Sequence, residues 1–474
     1  MRVGAFLILF ALLLAAAPRE PWSAELRAQV ATARSLIARG SLDIAFDGPN
    51  EHTDVRDGRR YARLPPGLAI ALVPIELAAR GLDHLTGTIR SAPLLESATS
   101  AGLVALACVV LLTALRRAAV RPSIALTATA ALALSTSLCA AGRIPDGTAL
   151  ATLLLTCAVL AARGPGVRSA FAVGAASGGL VLIEPALFPA GLVLALVIAL
   201  RRREPVRLLA GLLPLLVGAA LVLIHRAHIG YFPDPPGDLT EGLYGLTIST
   251  GKSLLLYSPP LVLGVWALPW FWRARRTDAA VTFAVAAAVL LSVAQLHRWH
   301  GDPSWGPRRL TPLVPLLLEP IALWLEASLP PLRRQALAAL GVLAVVGALI
   351  EGLGAAFAPA AYPHVLAVVR EQTGAGGWFP DLDDAHFIPQ FSPILGQAWL
   401  LDHFLRNDRN LAADAPWKLL QQNTPRLDKE LLALHLDWWA LGWPRLPAAV
   451  LLGVLSALAT AGAWLTVRRL RMLR

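Results

Sequence analysis

Long apolar runs separated by short polar connections repeat along almost the whole chain. A membrane-spanning helix needs about 20 mainly apolar residues, and shorter runs qualify when flanking side chains snorkel to the interface. Runs of this kind cover residues 3–17, 96–115, 123–141, 148–162, 169–183, 185–200, 208–224, 256–272, 279–296, 310–329, 336–357 and 447–467. The pattern predicts an all-α polytopic membrane protein of about 12 (11–13) transmembrane helices. One further apolar run, 66–79, is short and is flanked or interrupted by Pro65, Pro66 and Pro74.

Composition agrees with the pattern and removes the alternatives. Of 474 residues, 56% are hydrophobic and 15% charged, against about 25% charged in ordinary soluble domains. Disorder requires low hydrophobicity, and a soluble enzyme of this size could not hide so much apolar surface. Three cysteines and no Gly-X-Y period exclude a disulfide scaffold and a collagen. Cys108, Cys139 and Cys157 all lie in apolar runs and read as small core hydrophobes.

The net charge of +11 is explained by topology before it is explained by a partner. Arginines follow every second run: Arg116, Arg117 and Arg121; Arg163 and Arg168; Arg201, Arg202, Arg203 and Arg207; Arg273, Arg275 and Arg276; Arg333 and Arg334; and Arg468, Arg469, Arg471 and Arg474 at the end. Short basic connections are retained in the cytoplasm. The expectation is therefore a multi-pass protein of a cell inner membrane with both termini cytoplasmic, partnered by the bilayer and not by nucleic acid. Counting 66–79 as a span would invert everything after it, so it is read as an interfacial segment on the outer face. Arg2, fifteen apolar residues and Ala15-Ala16-Ala17 also fit a cleavable signal peptide, which would leave the rest of the topology unchanged. The expected organisation is a transmembrane domain over 1–357 with a long first outward loop at 18–95, a small outward region at 358–446, and a last helix with a basic tail at 447–474.

What charge remains gathers on the outward side: Glu25, Asp43, Asp47, Asp54 and Asp57; Arg143 and Asp146; Glu184; Lys252 and Tyr257; and the stretch from His297 to Arg309. Charges at the rim of a bundle are expensive and mark candidate sites. A carboxylate there could take a proton from a hydroxyl nucleophile. Arg and Lys could neutralise a phosphate, and Trp or Tyr could stack on a sugar or a headgroup. Each has a plainer reading: Glu25 on a solvated helix, Asp146 paired locally with Arg143, Glu184 as an acidic cap before Pro185, Lys252 as an interfacial snorkel, and Arg308 and Arg309 as anchors. His297, His300 and Asp302, like Asp381, Asp383, Asp384 and His386, invite a divalent metal, but the spacing matches no defined ligand motif. No cofactor is assigned. A phosphate loop and a nucleophile elbow are both absent from the sequence.

Several motifs in order resemble the GT-C glycosyltransferases, the group of protein O-mannosyltransferases and aminoarabinose transferases. They are Ser23-Ala24-Glu25-Leu26 with Gly40-Ser41-Leu42-Asp43; Asp57-Gly58-Arg59-Arg60-Tyr61; Arg143-Ile144-Pro145-Asp146; Gly251-Lys252-Ser253-Leu254-Leu255-Leu256-Tyr257-Ser258-Pro259; and Trp299-His300-Gly301 with Trp305-Gly306-Pro307-Arg308-Arg309-Leu310. The resemblance runs from about residue 20 to 320. It implies a GT-C-like bundle with interfacial helices in the first periplasmic loop. It also implies transfer of a sugar from a polyprenyl-phosphate donor to a hydroxyl on a periplasmic glycan, lipid or protein acceptor. Carried over residue by residue, the catalytic acid maps to Glu25, where the family has Asp. Tyr61, Arg143, Asp146, Lys252, Tyr257, Trp299, Arg308 and Arg309 map to donor or phosphate binding. Leu26 stands at the family's second acidic position, and Glu184 stands where relatives have Arg. These departures leave open a non-catalytic member or a lipid-linked glycan transporter.

Overall fold

The computed structural model describes residues 1–18, 23–44, 52–86, 91–202, 204–230, 235–301, 304–363, 365–366, 384–406 and 445–471. Its described part is helical apart from one β-hairpin. Helices α1 (Arg2–Ala15), α4 (Ala92–Arg117), α5 (Pro122–Leu134), α7 (Thr148–Ala161), α8 (Val167–Ile183), α9 (Phe188–Arg202), α10 (Pro205–Ile229), α14 (Arg276–Ala294), α15 (Val314–Ala327), α16 (Pro330–Ala356) and α19 (Arg445–Arg471) form the bundle. Among the described residues six helices are long and apolar enough to cross a membrane, and five further apolar helices are shorter. The chain is an integral membrane protein on this basis.

Two of the predicted runs are broken. The run 123–141 is interrupted at Ser135, between α5 and the short α6 (Leu138–Arg143). There Ser135 and Thr136 hydroxyls turn back onto the carbonyls of Ala131 and Leu132, a habit that bends helices. The run 256–272 divides into α12 (Leu254–Tyr257), a 3₁₀ turn (Pro259–Leu263) and α13 (Gly264–Ala274). Pro259 and Pro260 lack the N–H groups that a continuous helix needs.

Small residues allow the closest crossings. Gly4 of α1 and Gly462 of α19 are so close that a Cβ on either would clash with the other's carbonyl. A Cβ on Gly218 of α10 would clash with the Gly178 carbonyl of α8, and one on Gly178 with the Pro214 carbonyl of α10, the small-residue packing expected in membranes. α1 thus packs between α4 and α19, with Leu9, Leu13 and Leu14 buried in the main core.

The long connection between α1 and α4 contains two helices and the hairpin. α2 (Ala24–Arg39) begins at Ser23, whose Oγ accepts from Leu26 N at 3.0 Å, and ends at Gly40 in the left-handed region. α3 (Gly67–Thr86) is longer than the 66–79 run. Leu68 and Leu72 pack against Leu26, Val30 and Ala33 of α2. Gln29 pins the start of α3 by accepting from Ala69 N and donating to Pro65 O. The hairpin β1 (Thr53–Arg56) and β2 (Arg59–Ala62) turns through Asp57 and Gly58, both at positive φ, as a two-residue hairpin turn demands. Arg56 donates to the carbonyls of Ala227 and His228, which ties the hairpin to the C-terminal end of α10.

The connections sort to two ends. At one end Arg121 meets Glu326, and Arg163 meets Glu319 and Asp278. At the other, the first loop meets the connections around Asp146, Glu184 and Arg308.

Candidate active site

Three connections far apart in sequence converge on Arg308. The Ser23 cap places Glu25 in the first turn of α2. Its Oε2 lies 2.5 Å from Arg308 Nη2, and Asp146 Oδ2 lies 3.8 Å from Arg308 Nη1. All three side chains are less than one-fifth exposed. Asp146 is held by its own chain, with Oδ1 accepting from Thr148 N at 3.0 Å. Burial pushes the Asp146 carboxyl above its ordinary range, and Arg308 and Thr148 pull in the opposite direction. Beside this trio, Arg309 Nε lies 3.4 Å from Glu184 Oε2, and its guanidinium also donates to Arg298 O.

Two glycines shape the loop that delivers the arginines. Gly301 and Gly306 both have positive φ. A Cβ at Gly306 would lie 2.8 Å from the Tyr257 ring, and one at Gly301 would crowd Arg308. Lys252 is buried, and its ammonium donates to Ser304 O at 2.7 Å and lies 3.3 Å from Gly306 O. It therefore fastens the turn that carries Trp305 and Gly306. This corrects the snorkel reading, which requires an ammonium in water.

Other local readings are corrected as well. Asp146 pairs with Arg308 and not with Arg143. Arg143 is 1% exposed, and its Nε and Nη2 have no hydrogen-bond partner among the described residues. The opposite charge acting on it is Glu351 of α16, itself buried, a residue the sequence reading did not single out. Glu184 makes no side-chain cap bond, and its carboxylate faces Arg309.

Of the remaining candidates, Tyr257 is fully buried, with its ring edge-on to Trp305 at 5.2 Å. Trp299 donates to Glu241 Oε1 at 3.0 Å and packs against His300, His386 and Phe387. Tyr61 sits on β2, with its ring edge-on to His228 at 5.6 Å. Among the described residues no ion pair, hydrogen bond or ring contact joins Tyr61, Arg143, Tyr257 or Trp299 directly to the Glu25–Arg308–Asp146 trio. Among the described residues no group of three or more His, Cys, Asp and Glu side chains gathers as a metal would need. Asp47, Asp302, Asp381 and Asp383 lie outside the described residues, as does most of 358–446.

No family model and no curated protein matches the chain. Among solved structures it is similar to ArnT from Cupriavidus metallidurans in the apo state, with 15% identity and a TM-score of 0.48 over 96% of this chain and 75% of that one. It is also similar to ArnT from the same organism bound to undecaprenyl phosphate, with 16% identity and a TM-score of 0.46 over 99% and 77%. ArnT is an aminoarabinose transferase of the group that the motif order resembles.

Proposed function

We propose that the chain is a GT-C-like membrane glycosyltransferase, moving a sugar from a polyprenyl-phosphate donor to a hydroxyl acceptor at the periplasmic face. One observation carries the reading: Arg308 gathers Glu25 and Asp146 from separate connections into one half-enclosed site. An arginine held by two carboxylates is a cation ready to exchange partners. A donor phosphate competing for Arg308 would release Glu25 from its 2.5 Å ion pair and leave it as a base.

The reaction is a single inverting displacement. The acceptor oxygen forms a bond to the anomeric carbon as the bond from that carbon to the phosphate oxygen breaks. The electron pair departs with the phosphate, and the acceptor proton passes to Glu25. Arg308 and Arg309 stabilise the charge that develops on the leaving group. Lys252 acts as a positioning residue by fixing the 304–306 turn. Tyr257 supports the same turn from behind, against Gly306 and Trp305, and Tyr61, Arg143 and Trp299 take no step in the reaction. No metal is assigned a step.

The test is transfer from a panel of polyprenyl-phosphate sugars by the full chain and by Glu25→Gln. Loss of transfer in the variant supports the reading, and retained transfer overturns Glu25 as the base. A transporter of lipid-linked glycans is the competing reading. It would place polar groups near the bilayer midplane, whereas Glu351 lies five residues from the end of α16 and Glu96 four residues from the start of α4. Failure of every donor, together with glycan movement in proteoliposomes, would favour transport.

A further inference from the structure

The N-terminal end of α1, a helix of 14 residues and about 21 Å, opens on a cavity of about 810 Å³. Three helices supply its walls. Arg2 comes from α1, Arg116 and Arg117 from α4, and Arg468 and Arg469 from α19. The Gly4–Gly462 crossing brings α1 and α19 close enough for their arginines to share one space.

Arginines at this end are expected from topology alone, so their number says little. Their pairing says more. Arg121, Arg163, Arg207 and Arg275 each have a carboxylate within ion-pair distance. None of the five cavity arginines has one among the described residues. Arg116 donates to Val120 O, and Arg468 lies over the Trp464 ring at 5.1 Å. Five guanidiniums facing one concavity repel one another unless an anion enters.

The surroundings specify the anion's carrier. α19 is largely uncovered by the rest of the protein. Near the cavity it presents Trp464 at 58% and Val467 at 47% exposure, and Val3 beside them is 64% exposed. A free phosphate would use the arginines and leave this apolar flank unused. A phospholipid would use both, with its headgroup among the guanidiniums and its acyl chains along α19.

We propose that this cavity is a binding site for the phosphate headgroup of an anionic phospholipid. The lipid is drawn from the leaflet opposite the Glu25 site, and the cavity is built by α1, α4 and α19 together. The site is independent of the transferase reading, because nothing in it touches Glu25, Asp146 or Arg308.

The experiment is native mass spectrometry of the delipidated full chain in detergent, titrated in parallel with phosphatidylglycerol, phosphatidylcholine and glycerol phosphate. Four forms are compared: wild type, Arg468→Gln/Arg469→Gln, Arg117→Gln, and Arg121→Gln as a paired arginine from the same end. Arg468 and Arg469 are exposed, so their loss removes charge without opening the core. Arg117→Gln is a second route into the cavity from α4.

Wild type is expected to retain phosphatidylglycerol at least tenfold better than phosphatidylcholine. The double variant is expected to weaken that binding about 30-fold, the combined effect of two guanidiniums beside a headgroup. Arg117→Gln should weaken it by a smaller factor, and Arg121→Gln should leave it unchanged. Equal retention of the two lipids overturns the site, as does equal weakening by Arg121→Gln. Glycerol phosphate binding as tightly as the lipid overturns the lipid assignment in favour of a soluble phosphate. Because the readout is binding, failure here leaves the transfer assay untouched.

Discussion

Arg163 and Arg308 each face two carboxylates, at opposite ends of the bundle, and they do so differently. Arg163 grips Glu319 with both prongs, Nη1 to Oε1 at 2.7 Å and Nη2 to Oε2 at 2.6 Å, with Asp278 at 3.9 Å. That is the closed fork of a structural pair. Arg308 approaches Glu25 to 2.5 Å, while Asp146 stands at 3.8 Å, beyond hydrogen-bond reach. One arginine has matched its geometry to one acid. The other is shared between two acids. Equal charge counts therefore describe a fastener at one end and an exchangeable clamp at the other.

The difference can be broken from either side. The largest expected effect is on chemistry: Glu25→Gln should lower transfer by about 10²- to 10⁴-fold, the range for a lost general base, in the donor assay above. Its thermal stability should change little. Arg163→Gln should do the reverse. It leaves Glu319, 2% exposed, buried without its cation, at a cost of about 3–5 kcal/mol, read as a lowered midpoint in thermal unfolding. The matching exposed pair provides the control. Arg121 and Glu326 are 47% and 26% exposed, so Arg121→Gln should cost about 0–1 kcal/mol.

Gly306→Ala should cost about 1–2 kcal/mol from its positive φ, plus whatever the Tyr257 ring must yield. It should also lower transfer by disturbing the turn that delivers Arg308.

A smaller effect concerns pH. Burial, with help from Lys252 and His300, pushes His386 down to about 2 from 6.5. The unfolded chain then binds a proton that the folded protein refuses. This stability is present above pH 6.5 and is lost as pH falls below it. His386→Asn should flatten the decline of the unfolding midpoint between pH 7.5 and 5.5. An unchanged slope would remove His386 as its source.

Much of this was legible in the sequence because the bilayer imposes a simple pattern. The predicted apolar runs fall largely on helices, since a long run in lipid must satisfy its backbone internally. The breaks at Ser135 and at Pro259-Pro260 were printed in the sequence, but hydropathy averages over them. The hairpin was missed because Asp57-Gly58 sits within a short polar stretch, where alternation over four residues is weak. Its turn dipeptide was the available signal. Glu25, Asp146 and Arg308 could be picked out individually as charges at helix ends. Their convergence could not, because it depends on how α2, α7 and the 301–308 loop pack. Lys252 and Arg143 show the opposite failure. Both look like rim charges in sequence, yet both are buried, and only neighbouring backbone or Glu351 explains where their charge is met.

The clasp between Gly4 and Gly462 also bears on how the protein is made. At about 5–20 residues per second, a ribosome needs roughly 20–90 s to travel from one glycine to the other. During that interval the first helix is already in the bilayer and its partner has not been synthesised. Its small-residue face must wait against lipid or an insertion factor until α19 arrives. Truncations before α19 should therefore leave α1 exposed to quality-control proteolysis, however complete the rest of the bundle has become.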